Sequence, residues 1–399
     1  MKTISKADKK LIKKINTVSI LKTIREYGPI SRADISKTIG LNPATVSSIV
    51  TNLLKNKSIK EVGIGKSSGG RKPVLLELNS DELYVVGVDV GITKVTTGLI
   101  NINGNILNKT TIDFKDKTVE TIFEAIKSSI YEVIKEHDKN FNNVIGIGMG
   151  VHGLIDTERG MSIYAPAFNW NNVNIVDTFK KEFNVPVLID NDARVMALGE
   201  KWFGYAKNSK NFVLLNIGTG VGAGVFINDA LYRGNNFGAG EVGHIKITDE
   251  NIKCRCGRYG CLEAMVSGRA IVNRFIKGLE KGRTSSLKDR LKTSDITSLE
   301  IYREALKGDL LSIEVLKETG KYIGIGISTI INTLNPSMIL IAGGVSKAGD
   351  FIYDEIQNTI SKKSMNNNLK NVYIGETKLK DNVGIVGAGS LIIKDIFSI

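Results

Sequence analysis

Residues 83–107 read LYVVGVDVGITKVTTGLININGNIL, and residues 212–234 repeat the same pattern as FVLLNIGTGVGAGVFINDALYRG. Each stretch contains an apolar strand, a glycine-containing turn (218–224 in the second), another strand and a hairpin turn signal at 103–104 or 228–229. An internal repeat of this kind predicts two related lobes, each opening with a hairpin. A backbone turn of this type could hold a phosphate or could simply be a tight turn.

Strand and helix patterns continue on both sides of the repeat. Helices are predicted over residues 121–137 and 313–334, and a further apolar strand ends in two glycines at MILIAGG, residues 338–344. Apolar strands mixed with helices indicate an α/β fold with covered sheets. The 399 residues, 42% of them hydrophobic and 24% charged, are typical of a globular protein of two or three domains.

All three cysteines of the chain lie within eight residues, as Cys254, Cys256 and Cys261 in KCRCGRYGCLE, and His244 lies ten residues upstream of the first. Thiolates so close in sequence pair poorly with one another, but with one imidazole they form a tetrahedral set for zinc. Because four protein ligands leave no position for water, we predict structural Zn²⁺. Buried free thiols are the alternative. A compact cluster without disulfides favours a reducing cytoplasm.

The net charge of +13 is concentrated at the N-terminus. Residues 1–80 contain 16 Lys/Arg against 5 Asp/Glu, whereas the other 319 residues contain 38 against 36. This distribution is typical of a polyanion-binding segment attached to a neutral body, although a lysine-rich segment that only aids solubility is the alternative. No run reaches the ~18 apolar residues of a membrane span, and no apolar region follows the first lysines, so neither a span nor a secretory signal is predicted.

Three helical patterns follow one another in the basic segment. The first covers residues 16–27 and ends at Gly-Pro, the second begins after the N-cap Ser31, and the third begins after the N-cap Asn42. Two short helices joined by a glycine-containing turn predict a helix-turn-helix. Residues 59–78 then indicate a hairpin with the tip GKSSGGRKP, which predicts a winged domain over residues 1–80.

The third helix has a polar face of small and hydroxyl side chains, which would allow it to enter a major groove. The tip combines glycines with basic residues and could enter a minor groove, or it could be only a flexible basic loop. The candidate DNA-contacting residues are Arg32, Ala44, Thr45, Ser47, Ser48, Lys66, Arg71 and Lys72.

The stretch VLIDNDARVMALGE, residues 187–200, ends an apolar strand at two polar residues and continues as a helix. A carboxylate at the end of a strand, facing a cleft between lobes, suits Asp192 to act as general base on a sugar hydroxyl. Plain hydrogen bonding of Asn191 and Asp192 to that hydroxyl fits the pattern equally well.

The motifs VDVGITK, NDARVMALGE, GTGVGAG, GEVGH and CRCGRYGCLE together resemble the ROK family of repressors, open reading frames and sugar kinases. With the N-terminal winged segment, the resemblance covers essentially the whole chain. Within the family, SRADISKTIGLNPATVSSIV and SSGGRKP are most similar to xylose-responsive repressors.

The resemblance implies an actin-like, sugar-kinase-type body of two lobes over residues 81–399, divided near 195. It implies that a monosaccharide, most readily xylose, is bound by Asn191, Asp192, Glu241, His244 and Glu263, with His244 also a zinc ligand. Asp192 takes the position of the kinases' general base. The residues at which a nucleotide phosphate could bind are Asp89, Gly91, Thr93, Gly218, Thr219 and Gly220.

Three departures from the family pattern argue against catalysis. Ile92 stands where kinases usually have a second glycine in the first phosphate turn, His152 replaces a common proline, and Arg194 replaces a frequent asparagine near the pocket. The sequence therefore predicts a homo-oligomeric, sugar-responsive repressor without a catalytic residue, released from operator DNA by sugar. The alternatives are a sugar kinase that also binds DNA and a constitutive DNA-binding protein.

Overall fold

The computed structural model describes residues 9–66, 72–135, 143–290 and 295–398. Within these ranges an N-terminal head precedes a larger body built on two five-stranded sheets. None of the helices described is long and apolar enough to cross a membrane. The head consists of α1 (Lys9–Tyr27), β1 (Ile30–Ser31), α2 (Arg32–Ile39), α3 (Pro43–Lys55), β2 (Ile59–Ile64) and β3 (Val74–Leu78).

The head has the predicted helices, with the predicted caps. The Ser31 hydroxyl accepts a hydrogen bond from the Asp34 N–H at 3.1 Å, and the Asn42 side chain accepts one from the Ala44 N–H at 2.8 Å. α1 begins at Lys9 rather than at residue 16, because the preceding lysines and apolar residues continue the helix without a breaker. β1 was not predicted; it pairs with β3 and makes the hairpin a three-stranded sheet.

The two large sheets of the body have the same connectivity. The first contains β4 (Tyr84–Val90), β5 (Lys94–Asn101), β6 (Ile106–Asp113), β7 (Val144–Val151) and β11 (Val187–Asn191), in the order β11-β7-β4-β5-β6. The second contains β12 (Phe212–Ile217), β13 (Val221–Ile227), β14 (Ala230–Tyr232), β15 (Met338–Ala342) and β16 (Tyr373–Glu376), in the order β14-β13-β12-β15-β16. Each is an antiparallel run of three consecutive strands extended by two parallel strands, which confirms the predicted repeat.

A small antiparallel sheet follows β7 and consists of β8 (Leu154–Asp156), β9 (Met161–Ala165) and β10 (Trp170–Asn174). The helices of the body are α4 (Val119–Lys135), α5 (Val176–Phe183), α6 (Asp192–Phe203), α7 (Leu262–Val266), α8 (Gly268–Glu280), α9 (Leu287–Arg290), α10 (Ser298–Ala305), α11 (Leu310–Leu334), α12 (Asp350–Lys363), α13 (Asn366–Leu369) and α14 (Val383–Ile396). α4 and α11 correspond to the helices predicted from periodicity, and the last two residues of the first prediction lie outside the described ranges.

Two helices lie between the sheets. α6 packs on β12 and β13 of the second sheet, whereas α14 packs on β4 and β7 of the first.

The predicted turn 218–224 is wrong in its extent: it ends at Gly220, and Gly224 lies in β13. A Cβ atom at Gly224 would lie 2.4 Å from the Ala197 Cβ of α6. This glycine therefore allows α6 to pack closely against β13 and does not form a turn. The division of the lobes near residue 195 falls inside α6 and stays a prediction.

The apolar interior is continuous between the head and the body. Ile20 and Ile24 of α1 belong to the same buried cluster as Val85 of β4, Ile393 of α14 and Phe397. Both large sheets are covered, as the nearly complete burial of their central strands β4, β7, β12 and β15 indicates. The head is therefore packed onto the body rather than tethered by a free linker.

Candidate functional site

The parallel strands of the first sheet bring polar side chains to one edge. Asp89 of β4 and Asp190 of β11 each lie opposite Gly150 of β7, so the three residues form one row across the sheet. Asn191 and Asp192 follow immediately at the carboxyl end of β11. Because ligands of open α/β sheets bind beyond the carboxyl ends of the strands, this edge is the natural site.

Asn191 and Asp192 are held in different ways. The Asn191 side chain caps α6 by accepting from the Ala193 N–H at 3.1 Å, and it donates to the Gly153 carbonyl at 3.1 Å. Asp192 accepts from the Asn216 side chain at 3.4 Å. A carboxylate has about four acceptor positions, so Asp192 retains acceptors for the hydroxyls of a ligand.

The second lobe contributes the other predicted site residues. One Glu263 oxygen accepts from the Val221 N–H at 3.1 Å, and the other lies 3.7 Å from the Cys254 sulfur. His244 places Nε2 3.7 Å from a Glu241 oxygen and Nδ1 3.7 Å from the Cys254 sulfur. Glu263 therefore joins the glycine turn to the cysteine loop, and His244 joins that loop to Glu241.

The donor atoms of His244, Cys254, Cys256 and Cys261 all lie within 4.8 Å of one another. The sulfurs of Cys256 and Cys261 are 3.7 Å apart. Two sulfurs at ~2.3 Å from one tetrahedral zinc lie about 3.8 Å apart, so both the spacing and the donor chemistry fit Zn²⁺. Burial raises the pKa of the Cys254 thiol to about 12. A bound cation would hold such a thiol as the thiolate at neutral pH.

An ion triad centred on the buried Asp190 joins the two lobes beside the site, and sequence reasoning missed it. Arg233, which follows β14, donates from Nε and Nη2 to one Asp190 oxygen at 2.9 and 2.6 Å. Arg194 of α6 approaches the other oxygen at 3.4 Å. Asp190 is completely buried, and a charged residue inside the apolar strand VLID was the signal that could have found it.

Arg194 also fixes the segment that leads to Glu241. Its guanidinium donates to the carbonyls of Phe237 and Ala239, the second at 2.9 Å, and its side chain is only 3% exposed. This finding refines the sequence expectation that Arg194 lies near the pocket: the arginine holds the backbone of the segment that precedes Glu241. The triad sets the position of the second-lobe site residues relative to Asn191 and Asp192.

His152 is a further side chain at the site. It was noted in the sequence only as a replacement for proline, yet its Nδ1 lies 4.0 Å from an Asp192 oxygen. Its ring also packs against that of Phe168 in a T-shaped arrangement, with the ring centroids 6.1 Å apart. His152 therefore joins the segment that follows β7 to Asp192 and to the loop that carries Phe168.

The candidate phosphate residues lie at the turns that follow β4 and β12. The Gly91 N–H donates to the Lys94 carbonyl at 2.9 Å, which closes a tight turn containing Ile92 and the exposed Thr93. Burial, together with the Asp192 carboxylate, raises the pKa of Asp89 to about 7, and Lys94 opposes this shift.

In the second lobe, the Gly218 N–H donates to the Gly220 carbonyl at 2.9 Å, and Thr219 between them is exposed. A Cβ atom at Gly220 would lie 3.0 Å from a Glu263 oxygen, so the glycine allows this turn to lie close to the Glu263 carboxylate. Both turns therefore lie next to residues of the candidate sugar site.

The DNA-facing candidates are distributed over the head. Ala44, Ser47 and Ser48 are exposed on α3, Thr45 is half-buried, and Lys66 and Lys72 are exposed where the wing begins and ends. Arg71 lies outside the described residues. Arg32 is 3.7 Å from Glu61 of β2, so an intramolecular partner already neutralises part of its charge.

Comparison with known proteins now identifies the family. The ROK family model matches residues 85–395, and a model of winged helix-turn-helix DNA-binding domains matches residues 14–57. The chain belongs to the ROK family. The predicted winged helix-turn-helix and two-lobed sugar-kinase-type body are thereby confirmed.

Three similar proteins place this ROK chain more narrowly. It is 35% identical to the xylose repressor of Caldicellulosiruptor bescii over 393 residues, 97% of this chain and 98% of that one. It resembles the crystal structure of a ROK family transcriptional regulator, a homologue of the E. coli MLC protein, with a TM-score of 0.85, 29% identity and 97% coverage of both chains. A Streptomyces griseus ROK glucokinase solved with glucose and AMPPNP matches with a TM-score of 0.70 and 27% identity, over 77% of this chain and 98% of that one.

Proposed function

We propose that this protein is a sugar-responsive transcriptional repressor of xylose-utilisation genes, and that sugar releases it from operator DNA. The observation that carries the proposal is a DNA-binding head whose buried core is continuous with a sugar-kinase-type body. Xylose as the effector is supported by the likeness, over nearly the whole chain, to relatives named as xylose repressors.

We assign sugar binding to Asn191, Asp192, Glu241, His244 and Glu263. The first two come from the carboxyl end of β11 and the other three from the second lobe, so a sugar between them would contact both lobes. Several hydrogen bonds made only in the closed arrangement would provide the differential affinity that a switch requires, about 5.5 kcal/mol for a change from 99:1 to 1:99.

Structural zinc at His244, Cys254, Cys256 and Cys261 is part of the proposal. The ion would hold Cys254 and Cys261 together on the loop between Glu241 and Glu263, and so fix two carboxylates that face the sugar. The His244 nitrogen that points away from the thiols would remain available to Glu241 or to the ligand. This arrangement preorganises the pocket and contributes no chemistry.

The head is proposed to contact operator DNA through α3 and the wing. The exposed face of Ala44, Ser47 and Ser48 suits a major groove, and Lys66 and Lys72 suit the phosphates beside it. Two heads of a homodimer or larger homo-oligomer would bind the half-sites of a palindrome. The cytoplasm is the corresponding compartment.

An ATP-dependent sugar kinase that retains a DNA-binding head is the second candidate. Asp192 and Asp89 lie close enough to interact electrostatically, and the glycine turn at 218–220 is intact, as a kinase would require. Ile92 in the opposite turn disfavours this reading, because a branched side chain restricts the backbone where a phosphate would lie.

The two candidates are separated by paired assays on the zinc-loaded protein. Fluorescence anisotropy with DNA from upstream of its own gene should show binding that D-xylose weakens at least tenfold, a typical allosteric coupling. Incubation with Mg-ATP and D-xylose or D-glucose should yield no sugar phosphate at enzyme-like rates. Turnover near 1 s⁻¹ or faster, a usual enzyme range, would establish the kinase instead.

A further inference from the structure

Helix α6 joins the candidate sugar site directly to the DNA-binding head. It starts at Asp192, is capped by Asn191, and ends with Trp202 and Phe203. At 1.5 Å per residue its twelve residues span about 18 Å. Both ends therefore lie at functional parts of the molecule, with the sugar residues at one and the head at the other.

The contact at the far end is a half-buried arginine, Arg25, on an aromatic platform. The guanidinium carbon of Arg25 in α1 lies 3.8 Å from the centroid of the Trp202 ring and 5.2 Å from that of Phe397. The Trp202 and Phe397 rings are 5.7 Å apart, so α6 and the C-terminal residues beyond α14 form the platform together. A planar cation over aromatic faces is attracted most strongly when desolvated, and burial lowers the pKa of Arg25 to about 10.

The part of the platform on α6 is held firmly against α14. Gly199 of α6 and Gly387 of α14 bring the two backbones into contact: a Cβ on Gly199 would lie 2.9 Å from the Gly387 backbone. The buried Glu200 accepts from the N–H groups of Leu379 and Tyr205, each at 2.9 Å. Every residue from Ala193 to Glu200 is buried. A helix packed in this way responds as a rigid unit to a displacement at its N-terminus.

The head is equally tightly coupled to Arg25. Ile20 and Ile24, on the same helix as Arg25, are buried in the core that holds α2, α3 and the wing strands together. Any shift of the platform is therefore passed to the whole head, including the exposed face of α3.

We propose that α6 transmits sugar occupancy to the head, with the contact of Arg25 on Trp202 as the mechanical link. The proposal rests on the proposed function, since it names how the sugar site regulates DNA binding. Closure of the lobes on a sugar at Asp192 tilts α6 with α14, and the platform carries Arg25 and the head out of register with the operator. By thermodynamic linkage, operator DNA must weaken sugar binding by the same factor.

The test compares variants on each side of the contact in the full-length, zinc-loaded protein. Trp202→Leu removes the aromatic ring that α6 contributes to the platform and changes no residue of the head. Arg25→Lys keeps the charge but loses the planar stack. Lys22→Gln, an exposed charge on the same helix, is the matched control. The quantity measured is the operator Kd at saturating D-xylose divided by the operator Kd without sugar, together with the D-xylose Kd of the free protein.

We expect the ratio of operator Kd values to fall about tenfold in Trp202→Leu and by a smaller factor in Arg25→Lys. Lys22→Gln should keep the native ratio. All three variants should bind D-xylose with native affinity. Native ratios in Trp202→Leu and Arg25→Lys would overturn the proposal and leave the proposed function intact. Equal loss of operator binding in both variants without sugar would also overturn it, because the contact would then serve DNA binding itself. A native protein indifferent to D-xylose, D-glucose and N-acetylglucosamine would instead refute the proposed function.

Discussion

The two halves of the cleft differ in how they are supported. On the sugar side, the Asn191 side chain is fixed by hydrogen bonds to the backbone, Glu263 links a turn to the cysteine loop, and the ion triad around Asp190 joins the lobes. On the phosphate side, the turn that contains Ile92 and Thr93 is held by backbone hydrogen bonds, from the Gly91 N–H to the Lys94 carbonyl and from the Phe114 N–H to the Thr93 carbonyl, and burial disfavours the anionic form of Asp89. Side-chain bonds that cross between elements are thus concentrated on the sugar side, which is the arrangement that the proposed sugar sensor would require.

Loss of the zinc ligand set should have the largest effect on the sugar side. In Cys261→Ser we expect stoichiometric zinc to be lost, the free energy of unfolding to fall by several kcal/mol and D-xylose affinity to fall about 100-fold, because structural zinc contributes folding energy and holds Glu263. Zinc analysis, thermal unfolding and calorimetric titration measure the three quantities. Arg255→Ala, an exposed change in the same loop, should alter none of them. Full zinc content in the serine variant would contradict the assigned ligands.

Removal of one carboxylate should have the next largest effect. Asp192→Asn should raise the D-xylose Kd about 30-fold, the equivalent of ~2 kcal/mol for a hydrogen bond to a charged group, while operator affinity without sugar stays native. The exposed Glu158→Gln serves as control. If Asp192→Asn abolished DNA binding instead, the division of work between head and body would be wrong.

The ion triad should have a smaller effect through positioning. Arg233→Lys keeps the charge but loses the paired hydrogen bonds to Asp190, so Glu241 and His244 shift relative to Asp192. We expect the D-xylose Kd to rise about tenfold with little change in zinc content. A native sugar affinity in this variant, with the exposed Arg269→Lys as reference, would show that the triad serves stability alone.

Substitution of Asp89 on the phosphate side should have the smallest effect, a change in melting temperature that depends on pH. The pKa of Asp89 in the folded protein, about 7, lies above its ordinary value of 3.8. The stability that its protonation provides is therefore complete at low pH and is lost as pH rises through 7. Asp89→Asn should therefore match the native melting temperature near pH 4 and exceed it by about 2–4 °C at pH 8. A difference that does not vary between these pH values would refute the raised pKa.

The regular elements and the donor set were predictable because each depends on local signals. The caps at Ser31 and Asn42, the repeated hairpins and the cysteine spacing all lie within a few residues of what they determine. The ion triad and the Arg25 platform join residues far apart in the chain. Gly224 packs against α6, and the periodicity of the sequence does not show where that helix lies relative to the strand. Such contacts depend on tertiary packing and could not be predicted from the local patterns of one sequence.

The central claim is that sugar and operator DNA weaken each other's binding, and thermodynamic linkage gives its most direct measurement. D-xylose is titrated calorimetrically into the zinc-loaded protein alone and into its saturated complex with operator DNA. The account predicts a D-xylose Kd at least tenfold higher in the complex, matched by an equal loss of operator affinity at saturating sugar. Equal D-xylose affinities with and without DNA would contradict it.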